Sequence, residues 1–372
     1  MVEAAVVGLG NVGLRLAYDL ASRGYKVLGF DSRGSRVERA RKLGLEATTI
    51  DALSANIVYS KVESASVVAV AMPSEIGSRL SVELASRGLR VVDVSLLHTP
   101  PIRPVKGLLV AEAGASPGLT TLLAEAALKR RGEGGDLLVA AGSVSLDPEA
   151  PLGHAATWNV WDFLREYMEP GVVVVDGRVA MVDPLDPESW IELEWPGVGR
   201  LECFVGGGLK RFLAKKAPKL RRGLECSVRR PGHLKAMKLL RDLGLLSDAP
   251  VKASGCPVRP LDLLARLLER KSGGYKDLAL VYVEYRGPGG RDSWLLSMEW
   301  SEGWSATSQL VGGMQATFTE LVINGLLDDI NGVVYPEDLA SIGLESKVLS
   351  LAAERGIAAT NGDVKLLSNL LR

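Results

Sequence analysis

The first chemistry legible in this chain is the handling of a phosphate pair. Gly8-Leu9-Gly10-Asn11-Val12-Gly13 follows a short apolar run, Glu3–Val7, and opens a stretch with helical spacing at Val12, Leu16 and Leu20. In that setting Gly8 permits a tight turn, Gly10 lets the backbone approach a pyrophosphate, and Gly13 lets helix and strand pack closely. The helix start offers unpaired N–H groups and a partial positive charge to the phosphates. Asp31 closes a second strand 18 residues after Gly13, where a carboxylate accepts hydrogen bonds from a ribose. Its charge favours NAD, while Arg33 and Arg36 just beyond leave NADP open. Asn11, Val12, Ser32, Met72 and Pro73 are expected to complete the cofactor contacts.

A second set of residues suits an amino-acid substrate. Arg229 can grip a carboxylate with two parallel N–H bonds. His233, after Pro231-Gly232 at a helix start, can hydrogen-bond substrate or serve as a base near neutral pH. Glu112 ends the fifth strand, and ligands of parallel sheets bind beyond the carboxyl ends of strands. A carboxylate there orients an ammonium or accepts its proton. His98 and His154 are expected to be structural, and Trp158, Trp161 and Phe163 to form a core or interface stripe. Gly114-Ala115-Ser116-Pro117-Gly118 matches a hydrolase elbow in letters only: the residue after the serine must donate an N–H, and Pro117 has none. Ser116 as N-cap and Pro117 as first helical residue is the expectation instead. The basic run from Lys210 to Arg222 is expected to be a solvated face, with attraction of an anionic substrate or pairing with an acidic partner surface as the other readings.

The elements that must position these residues follow from periodicity. Strands at Glu3–Val7, Lys26–Phe30, Val67–Met72, Arg90–Leu96, Leu108–Ala111 and Asp136–Ala141 alternate with helices. That rhythm predicts a Rossmann-type, doubly wound parallel sheet. Hairpin signals then take over at Asp176-Gly177, Pro196-Gly197 and Gly287–Gly290, with helices near Leu234–Leu243 and Leu261–Lys271. They predict an α+β second domain with a mostly antiparallel sheet. From Pro336 onward the chain reads as helical, with Leu344, Val348, Leu351 and Ala352 on one face. The expected boundaries are 1–118 for the dinucleotide domain, 119–330 for a substrate and dimerisation domain, and 331–372 for helices returning to the first.

Composition narrows the class. Lys plus Arg (44) balances Asp plus Glu (44), which argues against nucleic acid as partner. No apolar run is long enough for a membrane span, and the N-terminus lacks the pattern of a secretory signal. A cytoplasmic protein is expected. Cys203, Cys226 and Cys256 are odd in number and lack metal-ligand spacing, so neither a disulfide framework nor a metal site is expected. Glutamine occurs only at Gln309 and Gln315, a scarcity that suits a thermophile.

Several stretches, in order, resemble the saccharopine dehydrogenase-like oxidoreductases, and among them the lysine 6-dehydrogenases. They are Asp93-Val94-Ser95, Glu112-Ala113-Gly114-Ala115-Ser116-Pro117-Gly118-Leu119, Ser227-Val228-Arg229-Arg230-Pro231-Gly232-His233 and Asn331-Gly332-Val333-Val334-Tyr335-Pro336-Glu337. The resemblance implies an NAD-dependent enzyme acting at a C–N bond of an amino acid, by oxidative deamination of the lysine ε-amine. Saccharopine- or carboxynorspermidine-type chemistry, or a dinucleotide-binding regulator without catalysis, are the alternatives. It also implies Ser95 beside the nicotinamide, a substrate-binding second domain and a homodimer. Two departures stand out: Arg230 replaces an aromatic residue, and Gly206-Gly207-Gly208 stands where an acidic residue is expected.

Overall fold

The structure, a computed structural model, describes residues 2–97, 104–155, 157–272 and 274–367. It divides into two compact units, Met1–Ala126 with Thr307–Ala358, and Ala127–Ala306 with Ala359–Arg372.

The first unit holds a seven-stranded parallel sheet. Six strands come from its N-terminal part: β1 (Ala4–Val7), β2 (Val27–Asp31), β3 (Glu46–Thr49), β4 (Val67–Val70), β5 (Arg90–Asp93) and β6 (Leu108–Val110). The order is Gly332–Val334, then β6, β5, β4, β1, β2, β3. Strand order reverses between β1 and β4, the place where such sheets open a crevice for ligand. Every residue of β1 and β4 is buried, because helices cover both faces. Strand β3 escaped the sequence reading: of Glu46-Ala47-Thr48-Thr49 only Ala47 is buried, so its edge position leaves no hydrophobic pattern. Also unforeseen is the 18-residue helix Ala306–Ile323. It is buried around its whole middle, Gly312 to Val322, so no polar face marks its period.

The second unit carries a nine-stranded mixed sheet. Its main path runs Gly290–Glu299, Asp277–Gly287, Gly135–Ser145, Leu220–Arg229, Gly199–Val205, Ile191–Trp195 and Lys365–Leu366. All pairs are antiparallel except Gly135–Ser145 with Leu220–Arg229. The three hairpins form where expected, at 171–182, 191–205 and 277–299.

Four expectations need correction. The strand expected at Asp136–Ala141 is part of Gly135–Ser145 and belongs to the second sheet, since alternation shows a strand but not its partners. The expected boundary at 330 is displaced: helix Ala306–Ile323 lies in the first unit from Thr307 on. There Gln315 Nε2 donates to the Val70 and Val92 carbonyls at 2.7 and 3.2 Å. The tail does not stay helical, because Lys365–Leu366 pairs with Ile191–Trp195. Finally, Cys203 and Cys226 are joined in a disulfide, with Cα atoms 5.5 Å apart. Antiparallel register sets Cys203 opposite Val228 and Cys226 opposite Val205, which makes the cysteines diagonal neighbours on one face. Their separation in sequence gave no hint of this. Among the described residues no helix is long and apolar enough to cross a membrane.

Candidate active site

The fingerprint turn has the space a dinucleotide requires. Gly8 has φ +96°, and a Cβ there would stand 2.4 Å from the Ala71 carbonyl oxygen. A Cβ at Gly13 would lie 1.8 Å from the Gly8 oxygen. Both positions are therefore dictated by the protein's own packing. Gly10 differs: its nearest neighbour would be the Arg36 guanidinium at 3.9 Å, leaving open ground at the start of helix α1 (Asn11–Ser22). No side chain caps that helix, so its first N–H groups face outward for phosphate oxygens. These features fit a dinucleotide.

Asp31, 3% exposed at the end of β2, is already engaged on both oxygens. Leu9 N donates to Oδ2 at 2.8 Å and Arg33 N to Oδ1 at 2.8 Å. Arg36 Nη1 adds a 3.2 Å bond to Oδ2. The aspartate thus holds the turn as well as offering acceptor lone pairs to a ribose. Arg39 bonds Asn11 at 3.2 Å, so two arginines of one helix, Gly34–Lys42, reach the surroundings of the fingerprint turn. Ser32 is exposed just beyond. Val12 lies in the first turn of α1, and its carbonyl would be 2.8 Å from a Cβ at Gly312.

Past β4, β5 and β6 lie the side chains expected beside the nicotinamide. Met72 touches the fingerprint, since its Cγ would lie 3.1 Å from a Cβ on Gly8, and exposed Pro73 precedes helix Ser74–Ser86. Ser95 is 3% exposed, its N–H donating to Asp93 Oδ1 at 2.9 Å and its hydroxyl to the Met72 carbonyl at 3.4 Å. Glu112 is 4% exposed and sits at φ 58°, a left-handed conformation uncommon for residues that carry a side chain. Asp93, which the sequence reading passed over, is pushed up to about 6 by burial. The Ser95 and Ser81 bonds oppose that shift and the Glu112 charge adds to it. Its signal was present in Asp93-Val94-Ser95, an acid closing an apolar strand. Ser116 and Pro117 precede helix Leu119–Arg131 rather than starting it, and Gly118 takes the cap position through Leu122 N to Gly118 O at 3.0 Å.

In the second unit the Ser227–His233 segment spans the end of strand Leu220–Arg229, a turn, and the start of helix His233–Asp242. Gly232 has φ 90°, and the Glu202 carboxylate takes Gly232 N at 3.1 Å and Leu234 N at 2.6 Å, tying the turn to the neighbouring strand. The roles expected of Arg229 and His233 change here. Arg229 is buried, with Nη2 on Glu166 at 2.5 Å, Nε on the Tyr167 hydroxyl at 2.6 Å and Nη1 on the Val228 carbonyl at 2.9 Å. Phe163, Tyr167 and Phe204 surround its charge, with ring centroids 5.3, 5.7 and 5.3 Å away. Its fork is filled by the protein, so it is a framework cation and not a free carboxylate clamp. His233 Nδ1 lies 2.7 Å from the Leu152 carbonyl, which can only accept. Nε2 is then the acceptor for the Tyr167 hydroxyl at 2.7 Å. Burial, with repulsion from Arg229, pulls the imidazole down to about 3. With its lone pair occupied, His233 is a neutral link and not a base.

The residue beside them is half-buried. Arg230 lines a cleft of about 600 Å³ with Asp147, Leu152, Gly153, Gly232 and His233. Its Nε and Nη2 both donate to the Ser145 carbonyl, at 3.2 and 3.0 Å, which aims the guanidinium without spending its charge. His154 stacks on Phe163 with ring centroids 4.1 Å apart, a core role as expected. Trp158 and Trp161 pack on the same cluster. In the basic run, Lys219 pairs with Glu133 and Arg221 with Asp136, while Lys216 is buried. His98 lies outside the described residues.

Comparison with known proteins gives two family matches. Residues 114–357 match the saccharopine dehydrogenase C-terminal domain, and residues 4–94 match the TrkA-N domain. Among solved structures, apo saccharopine dehydrogenase (L-Glu forming) from Saccharomyces cerevisiae is similar over 99% of this chain and 100% of its own, at 17% identity and TM-score 0.75. The NAD(P)-binding domain of an exopolyphosphatase-related protein from Archaeoglobus fulgidus matches 25% of this chain and 72% of its own, at 23% identity and TM-score 0.23. At such identity the first likeness is one of fold.

Proposed function

The chain belongs to the saccharopine dehydrogenase family, with an NAD(P)-binding domain at its N-terminus, and from that premise we propose that it oxidises a C–N bond of an amino acid. The observation that carries this reading is the uncapped, open glycine turn at α1, set in the same chain as a cleft lined by Arg230. When bound, the nicotinamide supplies the two-electron acceptor. A reacting amine must first be neutral, because an ammonium has no lone pair to stabilise the developing iminium. Glu112 is the proposed acceptor of that proton, and the Ser95 hydroxyl the proposed donor to the substrate. Arg230 takes the carboxylate role first assigned to Arg229. The lysine ε-amine is the leading substrate. A saccharopine-type reaction is the second reading, favoured by a cleft whose roughly 600 Å³ leaves room for a second substrate arm. Incubating the full chain with L-lysine, L-saccharopine or diamines, and either NAD or NADP, tests this through absorbance of the reduced cofactor. Turnover of lysine alone supports the first reading and of saccharopine the second. Dinucleotide binding without any turnover leaves the non-catalytic reading.

Two outcomes are expected from variants. Arg230→Ala should raise the KM of the identified substrate roughly 10- to 100-fold, the loss of one charge-assisted bond, with dinucleotide affinity unchanged. An unchanged KM places the carboxylate elsewhere. NAD is the proposed preferred cofactor, and Arg36→Ala should weaken NADP roughly tenfold more than NAD, because a 2′-phosphate would lose its nearest cation. Calorimetric titration of both dinucleotides reads the difference, and equal losses refute the assignment.

A further inference from the structure

Strand alternation sorts the residues of Leu220–Arg229 onto two faces. Leu224, Cys226 and Val228 join the apolar core, which leaves Glu225, Ser227 and Arg229 in a row on the other side. Arg229 is satisfied by Glu166. Glu225 is not. It is 5% exposed, yet its Oε2 has no hydrogen-bond partner. Oε1 has only the Ser227 hydroxyl, at 3.5 Å, and the Gly208 N–H also approaches the carboxyl.

The ground beside Oε2 exists because of glycine. A Cβ at Gly206 would stand 2.6 Å from Oε2 and one at Gly208 3.6 Å away. At Gly207 it would meet only the Pro170 carbonyl, at 3.4 Å. Gly207 and Gly208 are half-buried, so the loop is reachable from outside. Any side chain at 206 would occupy the place where a donor reaches the carboxyl.

We propose that Glu225 and Gly206–Gly208 form a receptor for an ammonium group of the substrate, a primary or secondary amine cation donating to Oε2. This rests on the amine-oxidising reading above. Charge complementarity favours a cation. Arg229 is matched by Glu166, and His154, His233 and Tyr167, which pack around that pair, are held neutral by burial. Among the described residues Glu225 has no ion-pair partner of its own, and Arg229 acts on its charge without bonding to it. A metal ion would need several oxygen or nitrogen ligands, and among the described residues no group of three or more His, Cys, Asp or Glu gathers. Burial, reinforced by Glu166 and opposed by Arg229, pushes Glu225 up to about 8. Near neutral pH the free protein therefore holds a carboxylic acid. Binding the cation converts it to a carboxylate–ammonium pair and sends its proton to solvent.

The test uses n-butylammonium as probe, titrated calorimetrically into the full chain at pH 7 in two buffers of different ionisation enthalpy. The wild type should bind it and release a proton, and neutral n-butanol should not compete. Glu225→Gln should bind roughly tenfold or more weakly and release none. Gly206→Ala, which keeps the acid but fills its approach, should lose binding alike while retaining the far-ultraviolet spectrum of a folded chain. No binding by the wild type, unchanged binding by Glu225→Gln, or binding without proton release each overturns the site. The oxidoreductase reading is judged separately: a chain that binds the probe through Glu225 but oxidises no amine loses that reading and keeps the receptor.

Discussion

Arg355→Met is expected to cost about 3–5 kcal/mol of stability, the usual loss when one partner of a buried ion pair is removed. In a unit of this size that lowers the melting temperature by roughly 6–20 °C. The Arg355 side chain is wholly buried, with Nε on Asp19 at 2.7 Å, Nη2 on Glu320 at 2.5 Å and Nη1 on the Leu351 carbonyl at 2.9 Å. Methionine fills the volume but leaves two carboxylates in the interior. Asp19 keeps Arg23 and Arg15 only at 3.4 and 3.8 Å, and Glu320 keeps the Tyr25 hydroxyl at 3.1 Å. Asp19 belongs to α1, the helix whose first turn carries the fingerprint, so loosening it should also weaken NAD binding. Restoring charge balance in the triple variant Arg355→Met, Asp19→Asn, Glu320→Gln should recover most of the loss. Urea midpoints of the three proteins measure this, and a single variant as stable as wild type refutes it.

Much of the first unit was legible because its pattern is local. A strand buried on both faces, a glycine turn and an amphipathic helix lie within 22 residues, and each demands the next. Helix Ala306–Ile323 was not legible, since Gln315 and Gly312 matter through contacts with chain more than two hundred residues away. The paired cysteines failed for a like reason: only sheet register makes them neighbours.

The site divides the same way. Glycine spacing and Asp31 state their geometry in sequence. Arg229 and His233 do not, because residue type shows what a side chain can bond and not what already bonds it. Glu166 and Tyr167, on a different element, consume the arginine's fork and the imidazole's lone pair. Arg230, one residue on in the turn, is half-buried and lines the cleft with Leu152, Gly153 and His233. The alternation Glu225-Cys226-Ser227-Val228-Arg229 held a further clue, since it set an acid on the face of the arginine, with no charge of its own to meet.

That acid carries the last expectation: its own contribution to stability, read as the difference from a variant without it, should fall as pH rises from about 4.5 to about 8. In the unfolded chain Glu225 loses its proton near 4.5, whereas burial holds the folded group to about 8. Between those values the folded state binds more protons than the unfolded one, so unfolding becomes easier with each increment of pH. Below the window both states are protonated, and above it both are charged and the full cost of the buried carboxylate is present. A shift of that span corresponds to about 5 kcal/mol, which local relaxation and entering water reduce to about 2–5 kcal/mol. Glu225→Gln keeps the shape and removes the ionisation. Its urea midpoint should match wild type at pH 4.5 and exceed it at pH 9. Asp93, held up near 6, adds its own slope to both proteins and cancels in the difference. A constant gap between the two proteins from pH 4.5 to 9 would show that Glu225 is ionised in the folded chain throughout, with a cation of the protein already beside it.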